Sequence, residues 1–144
     1  MKRTVAEITK ITLDPDLTER YQVRYGRQLA EVVVDSDGVR HARPAPLCNA
    51  TARALREAVW EVRRFLAEVG FYDAAWECRN PASLPPLRNP IILPRGGGRY
   101  MARNGVPVHV LQDGTVEAAV PPGVSPRAVR AAVRAIQWRI ADEV

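Results

Sequence analysis

The chain has 144 residues, of which 47% are hydrophobic and 26% charged. These proportions are typical of a globular domain and exclude a disordered or collagen-like chain. The net charge of +5 favours an acidic partner, either nucleic acid or an acidic protein surface. Lys2 and Lys10 are the only lysines among 21 basic residues, so the positive charge is almost entirely arginine. A genome rich in G and C produces the same arginine bias, so the positions of the arginines carry more information than their number.

The first part of the chain predicts antiparallel strands. Residues 8–13 have an imperfect strand-like alternation, and residues 21–25 alternate up to Gly26. Residues 29–34 and those from 39 onward predict a hairpin, with Asp37-Gly38 in its turn. Pro44 and Pro46 end this part of the sheet.

A long helix is predicted over residues 49–69, with Asn49 or Thr51 as its cap and Gly70 at its end. Its large aliphatic residues recur at spacings of a 3.6-residue helix, which predicts one buried stripe. The stripe consists of Leu55, Val59, Val62, Leu66 and Val69. Residues 71–78 are predicted to form a strand.

Residues 80–98 contain five prolines and the run Gly96-Gly97-Gly98. A connection of this length without periodicity is typical of a binding loop or a linker. Strands are then predicted over residues 106–111 and 115–120, with Asp113-Gly114 as their turn. Ser125 and Pro126 have the features of a helix start, and that helix is predicted to reach the C-terminus.

These elements predict a single α+β domain over residues 1–144, in which two main helices pack on one face of an antiparallel sheet. The turns at Asp37-Gly38 and Asp113-Gly114 are each followed by prolines and a helix. The two halves therefore predict a pseudo-repeat of hairpin–helix units.

The N-terminal residues 1–7 reach an acidic residue before any apolar run, which is not the pattern of a signal peptide. Apolar stretches are far shorter than the roughly 20 residues that span a bilayer. We expect a cytoplasmic protein without a membrane partner. Cys48 and Cys78 are too few for a disulfide framework, and whether they pair is open.

Both predicted helices carry a tryptophan among arginines, away from the apolar stripe. In the last helix the stripe is Val129, Val133, Ile136 and Ile140, and the second face consists of Arg127, Arg130, Arg134 and Trp138. In the first helix Trp60 lies nearly opposite the stripe, beside Arg53, Arg56, Arg63 and Arg64. Trp and Arg are enriched at the energetic centres of interfaces, so we interpret these faces as partner-binding surfaces. Two alternatives are a tryptophan covered by another segment, and an idle surface with only a weak cation–π contact.

A second group of candidates could contact phosphate or nucleic acid; it comprises Arg95, Arg99 and Tyr100 around the glycine run. The run lacks the lysine and Ser/Thr of a P-loop, and glycines that only permit a tight turn are the alternative. His41 and His109 have no metal-type spacing, and no catalytic motif occurs. We therefore expect no enzyme activity, no cofactor and no metal.

The sequence favours a small regulatory or inhibitory protein that docks on a larger protein or nucleoprotein complex, of the transcription or translation type. One alternative is direct binding of nucleic acid by the arginines, with the tryptophans stacked on bases. The other is a structural homodimer in which the same faces pair.

Overall fold

A computed structural model describes residues 4–79, 88–92, 98–101 and 106–142. Within these ranges it describes the backbone alone at residues 70–79, 88–92, 101, 138, 139, 141 and 142. The strands are β1 (Ala6–Leu13), β2 (Glu19–Tyr25), β3 (Gln28–Asp35), β4 (Gly38–Pro44), β5 (Arg88–Ile92), β6 (Gly98–Met101), β7 (Pro107–Val110) and β8 (Val116–Ala119). The helices are α1 (Ala52–Arg79) and α2 (Pro126–Asp142).

The described strands form an antiparallel sheet whose hydrogen-bonded order is β4-β3-β2-β1-β8-β7-β6-β5. The predicted α+β class is thus confirmed. The chain divides into two compact units, and β1 contributes residues to each. Of the described residues, 4–9 and 20–79 belong to the first unit, and the rest belong to the second.

The first unit is built from β2, β3, β4 and α1. Alternate residues of β2 and β3 are buried because successive side chains of a strand point to opposite faces; they are Tyr21, Val23, Ala30, Val32 and Val34. Helix α1 packs on β3 and β4. The rings of Tyr21 and Phe65 meet edge to face with their centroids 5.7 Å apart. This pair contributes about 0.5–1.5 kcal/mol beyond the apolar area that it buries.

The second unit packs α2 on β8 and β7. In the sheet, Leu13 is opposite Val116 and Ile11 is opposite Ala118. All four are buried, as are Val129, Val133 and Ile136 of the predicted α2 stripe. Ile140, the last member of that stripe, is half-buried.

Both helices begin at the hydroxyl caps that the sequence predicts. The Thr51 Oγ1 atom accepts a hydrogen bond from the Ala54 N–H at 3.2 Å, and the Ser125 Oγ atom accepts one from the Ala128 N–H, also at 3.2 Å. Each bond satisfies one of the backbone donors that a helix leaves unpaired in its first turn. The cap of α1 is therefore Thr51 rather than Asn49.

The predicted end of α1 at Gly70 and the predicted strand over residues 71–78 are wrong, because α1 continues to Arg79. Ala74, Ala75 and Glu77 are strong helix formers, and the next proline is Pro81. A single glycine inside a helix costs about 1 kcal/mol, which these residues can offset. Glycine commonly follows the last residue of a helix, which is why the sequence predicts an end at Gly70.

The buried stripe of α1 differs from the predicted one. Its buried residues are Ala54, Ala58, Val62, Phe65 and Val69, whereas Leu55, Val59 and Leu66 are half-buried. The two stripes differ by about 60° around the helix axis. The prediction weighted large aliphatic residues, but alanines at the inner positions allow the helix backbone to approach the strands closely.

Two further predictions concern the loop over residues 80–98 and the pseudo-repeat of hairpin–helix units. Strand β5 lies inside the predicted loop 80–98, and residues 80–87 and 93–97 lie outside the described part of the chain. Four strands followed by a helix occur twice in the element order. The pseudo-repeat and the single-domain organisation stay predictions. No helix within the described ranges is both long and apolar enough to cross a membrane.

The corrected stripe makes a prediction about stability. We expect Phe65→Ala to lower the free energy of unfolding by about 3–5 kcal/mol, because it removes a buried ring that packs on Tyr21. Leu66→Ala should cost only about 1 kcal/mol, because Leu66 is half-buried. Chemical denaturation of the two variants measures both values, and a larger loss for Leu66→Ala would contradict the assignment of the stripe.

Candidate functional site

Trp60 lies on the outer face of α1, and 73% of its surface is exposed to solvent. Helical geometry places it about 160° around the axis from the centre of the buried stripe. An indole at this position leaves a large apolar surface in contact with water, at about 25 cal/mol per Å². The packing of α1 on its own unit therefore does not account for this tryptophan.

Three arginines surround Trp60 on the outer face. Arg56 precedes it by one helical turn, Arg63 follows it by nearly one turn, and Arg53 lies almost two turns before it. All three are exposed, and none forms an ion pair with a described residue. We call Arg53, Arg56, Trp60 and Arg63 the outer face of α1.

Arg64 was predicted to belong to this face, but its guanidinium pairs with the acidic flank of the helix, which consists of Glu57, Glu61 and Glu68. Its Nη2 atom lies 2.5 Å from Glu61 Oε1, and its Nη1 atom lies 3.3 Å from Glu68 Oε2. The hydrogen bond and charge of Glu61, together with the charge of Glu68, raise the pKa of Arg64 above its ordinary value. These pairs at helical spacing each contribute a few tenths of a kcal/mol, about 0.2–0.5.

The other exposed arginines of strands β2 and β4 are paired within the first unit. Arg24 pairs with Glu7, Arg40 pairs with Asp35, and Arg43 Nη2 lies 2.6 Å from Glu31 Oε1. The carboxylate of Asp35 also accepts the Asp37 N–H, and this bond, followed by the contact with Arg40, lowers the pKa of Asp35. Positive charge on these strands is thus largely neutralised, in contrast to the outer face of α1.

The predicted arginine face of α2 is engaged inside the second unit. Glu19, whose side chain is 8% exposed, accepts hydrogen bonds from Arg130 Nη2 at 3.0 Å and from Arg134 Nη1 at 2.9 Å. Arg130 is 11% exposed and Arg134 is 54% exposed. This cluster joins α2 to Glu19, which belongs to the same unit, and explains Arg130 without an external partner.

The two remaining members of the predicted α2 face give less information. Arg127 is exposed in the first turn of α2. The side chain of Trp138 lies outside the described part of the structure. The role of the α2 face in partner binding stays a prediction.

Sequence reasoning missed Glu19 because its contacts are separated by 111 and 115 residues. No periodicity relates a strand residue to a helix so distant along the chain. The only local signal is an acidic residue at a buried position of β2, and burial is not visible in the sequence.

The predicted phosphate-contacting group is divided by the fold. Arg99 and Tyr100 are neighbours in β6, so their side chains point to opposite faces of the sheet. Arg99 is exposed and Tyr100 is half-buried, and Arg95 lies outside the described residues. On the face of Arg99, its cross-strand neighbour His109 has Nδ1 3.8 Å from Glu117 Oε1, while Lys10 Nζ lies 3.0 Å from Glu117 Oε2.

Cys48 is a free cysteine, and Cys78 lies among the residues without a described side chain. In the part of the chain that the structure describes, no group of three or more His, Cys, Asp and Glu residues could hold a metal ion. His41 is exposed on β4. None of these described residues forms a candidate site as well defined as the outer face of α1.

The Glu19 cluster predicts a structural role for two of the candidate arginines. We expect Glu19→Ala to lower the free energy of unfolding by about 3–5 kcal/mol, because it removes the buried carboxylate that pairs with the largely buried Arg130. Arg134→Ala should cost less than about 1 kcal/mol, because Arg134 is largely exposed. Equal losses in urea denaturation for the two variants would contradict this division.

The outer face of α1 thus combines an exposed indole with three arginines that lack ion pairs to described residues. Comparisons with protein-family models, with curated proteins and with solved structures found no match to this chain. The role of the face is therefore inferred from its own residues and charges.

Proposed function

We propose that the chain is a small binding protein that docks through the outer face of α1 on an acidic surface of a larger protein complex. Binding there regulates or inhibits that complex, which we expect to be of the transcription or translation type. The observation that carries the proposal is the 73% exposure of Trp60 between arginines without described ion-pair partners.

The energetics support a docking face. A tryptophan buries about 150–250 Å² in an interface, so covering the exposed part of Trp60 contributes roughly 3–4 kcal/mol before the costs of association. Carboxylates on the partner would pair with Arg53, Arg56 and Arg63. Because these arginines hold no described ion pair, docking breaks no such pair in this protein.

The acidic flank of α1 favours a protein over a nucleic acid as the partner. Glu57 is exposed one turn before Glu61, and Glu68 is exposed farther along the same flank. A phosphate backbone that crossed the helix would meet these carboxylates at close range, where like charges repel. A protein surface can match both signs of charge along one helix.

We expect Trp60→Ala to weaken binding of the partner at least tenfold and to leave the free energy of unfolding within about 0.5 kcal/mol of wild type. The partner is recovered from nuclease-treated host lysate by the immobilised chain, is identified by mass spectrometry and is then titrated in purified form. Leu17→Ala is the control. It also truncates an exposed apolar side chain, but Leu17 lies in the second unit. Retention of full affinity by Trp60→Ala would refute the docking face.

Substitution of Arg24 and Arg40 is a charge-matched control for substitution of Arg53 and Arg56. Arg53→Gln/Arg56→Gln should reduce the affinity more than Arg24→Gln/Arg40→Gln, although both variants remove two positive charges from the first unit. The reason is that Arg24 and Arg40 already have carboxylate partners in the protein. Equal losses would show that net charge alone drives binding.

Dependence on salt separates the proposal from its two alternatives. Binding through phosphate contacts would weaken with a log–log slope of about −0.9 per phosphate on duplex DNA, whereas an interface centred on Trp60 weakens much less. A homodimer would appear as a doubled mass in light scattering without any added partner. Either result would replace the proposed function.

A further inference from the structure

Left-handed backbone conformations occur at six described residues. Four of them are glycines, Gly26, Gly38, Gly114 and Gly123, for which a positive φ is favourable. The other two are Leu17 with a φ of 72° and Leu47 with a φ of 62°. A branched aliphatic residue in this region is unfavourable because its Cβ crowds the backbone.

Leu47 occupies the third position of a tight turn. The Cys48 N–H donates to the Ala45 carbonyl at 2.9 Å, and Pro46 holds the second position. Proline followed by a positive φ is the pattern of a type II turn, whose third residue is normally glycine or asparagine. Leucine is therefore the wrong residue for the backbone of this turn.

Burial does not explain Leu47 either, because its relative exposure is 108%, the highest among the large hydrophobic residues whose side chains the structure describes. The turn itself is firmly attached to the first unit. Ala45 is buried and its N–H donates to the Leu29 carbonyl at 3.0 Å, while the Thr51 N–H donates to Gln28 Oε1 at 2.6 Å. The structure thus holds a fully exposed leucine on a fixed turn.

The charges around this turn are positive. The segment from residue 44 to residue 56 contains two arginines, Arg53 and Arg56, and no aspartate or glutamate. Both arginines belong to the outer face of α1. The turn that carries Leu17 is different, because Asp14 and Asp16 precede it. An acidic partner is therefore attracted to the surroundings of Leu47 and repelled by those of Leu17.

We propose that Leu47 is an apolar anchor that inserts into a pocket on the acidic surface of the partner protein. This inference rests on the proposed function, because it assigns a second contact to the same acidic partner. Leucine fits a protein pocket better than nucleic acid, since it has no planar face to stack on a base. A fixed anchor loses little conformational freedom on binding, which favours affinity.

The first test asks whether the fold needs Leu47. Leu47→Asn and Leu47→Gly supply residues that tolerate a positive φ, so the midpoint of thermal unfolding should stay the same or rise. A decrease of more than about 5 °C in both variants would show a structural role and overturn the proposal. Leu17→Asn is the matched control, because it makes the same change at the other left-handed leucine.

The second test measures binding with a defined probe. Short peptides are selected from a random display library on the immobilised wild-type chain, and the enriched peptides are titrated against each variant. We expect these peptides to combine carboxylates with a large apolar residue. Leu47→Asn should lower their affinity about tenfold or more, and Leu17→Asn should leave it unchanged.

The outcomes separate the two proposals. Peptides that lose affinity for Trp60→Ala but bind Leu47→Asn like wild type overturn the anchor and leave the docking face intact. Peptides that bind both variants like wild type overturn both proposals. Selection of no acidic peptide, with tight and salt-sensitive binding of a single-stranded oligonucleotide probe, overturns the protein partner in favour of nucleic acid.

Discussion

The packing of the inner stripe of α1 on β3 and β4 determines the direction of the other described side chains on the helix. Ala54, Ala58 and Val62 are buried on this stripe, and the buried ring of Phe65 packs on Tyr21. A helix fixed along one stripe cannot rotate without exposing that stripe to water, at about 25 cal/mol per Å². The orientation of Trp60 is a consequence of this constraint, because its position in the sequence places it opposite the stripe.

The arginines of this chain serve two physical purposes, and their partners distinguish them. Arg130 is largely buried and paired with Glu19, and Arg43 is paired with the buried Glu31, so both belong to the architecture of their units. Arg53, Arg56 and Arg63 are exposed and have no described carboxylate beside them. Composition alone could not separate these groups, since a genome rich in G and C would supply both. The two groups of arginines are distinguished by their ion pairs, which form only in the folded chain.

Local signals predicted much of the fold. Alternation identified β2, the Asp-Gly turns identified the hairpins, and the sequence offered Thr51, beside Asn49, and Ser125 as helix caps. The errors arose where tertiary contacts outweigh local preference. Gly70 appeared to end α1, yet the helix continues, and alanines rather than leucines form much of its buried stripe. For the candidate site, the sequence placed Trp60 and its arginines on one face but could not find Glu19, whose partners are more than a hundred residues away.

Leu47 is informative because neither its backbone conformation nor its burial explains the choice of leucine. At Gly38 and Gly114 the residue type and the left-handed backbone agree, so each glycine is explained by its turn. At Leu47 the backbone disfavours the residue, and solvent surrounds the side chain. Glycine or asparagine would relieve the backbone, and a polar residue would suit the exposure. Leu17 shares both features but follows Asp14 and Asp16, so the basic surroundings of Leu47 are what favour a contact with an acidic surface outside the chain.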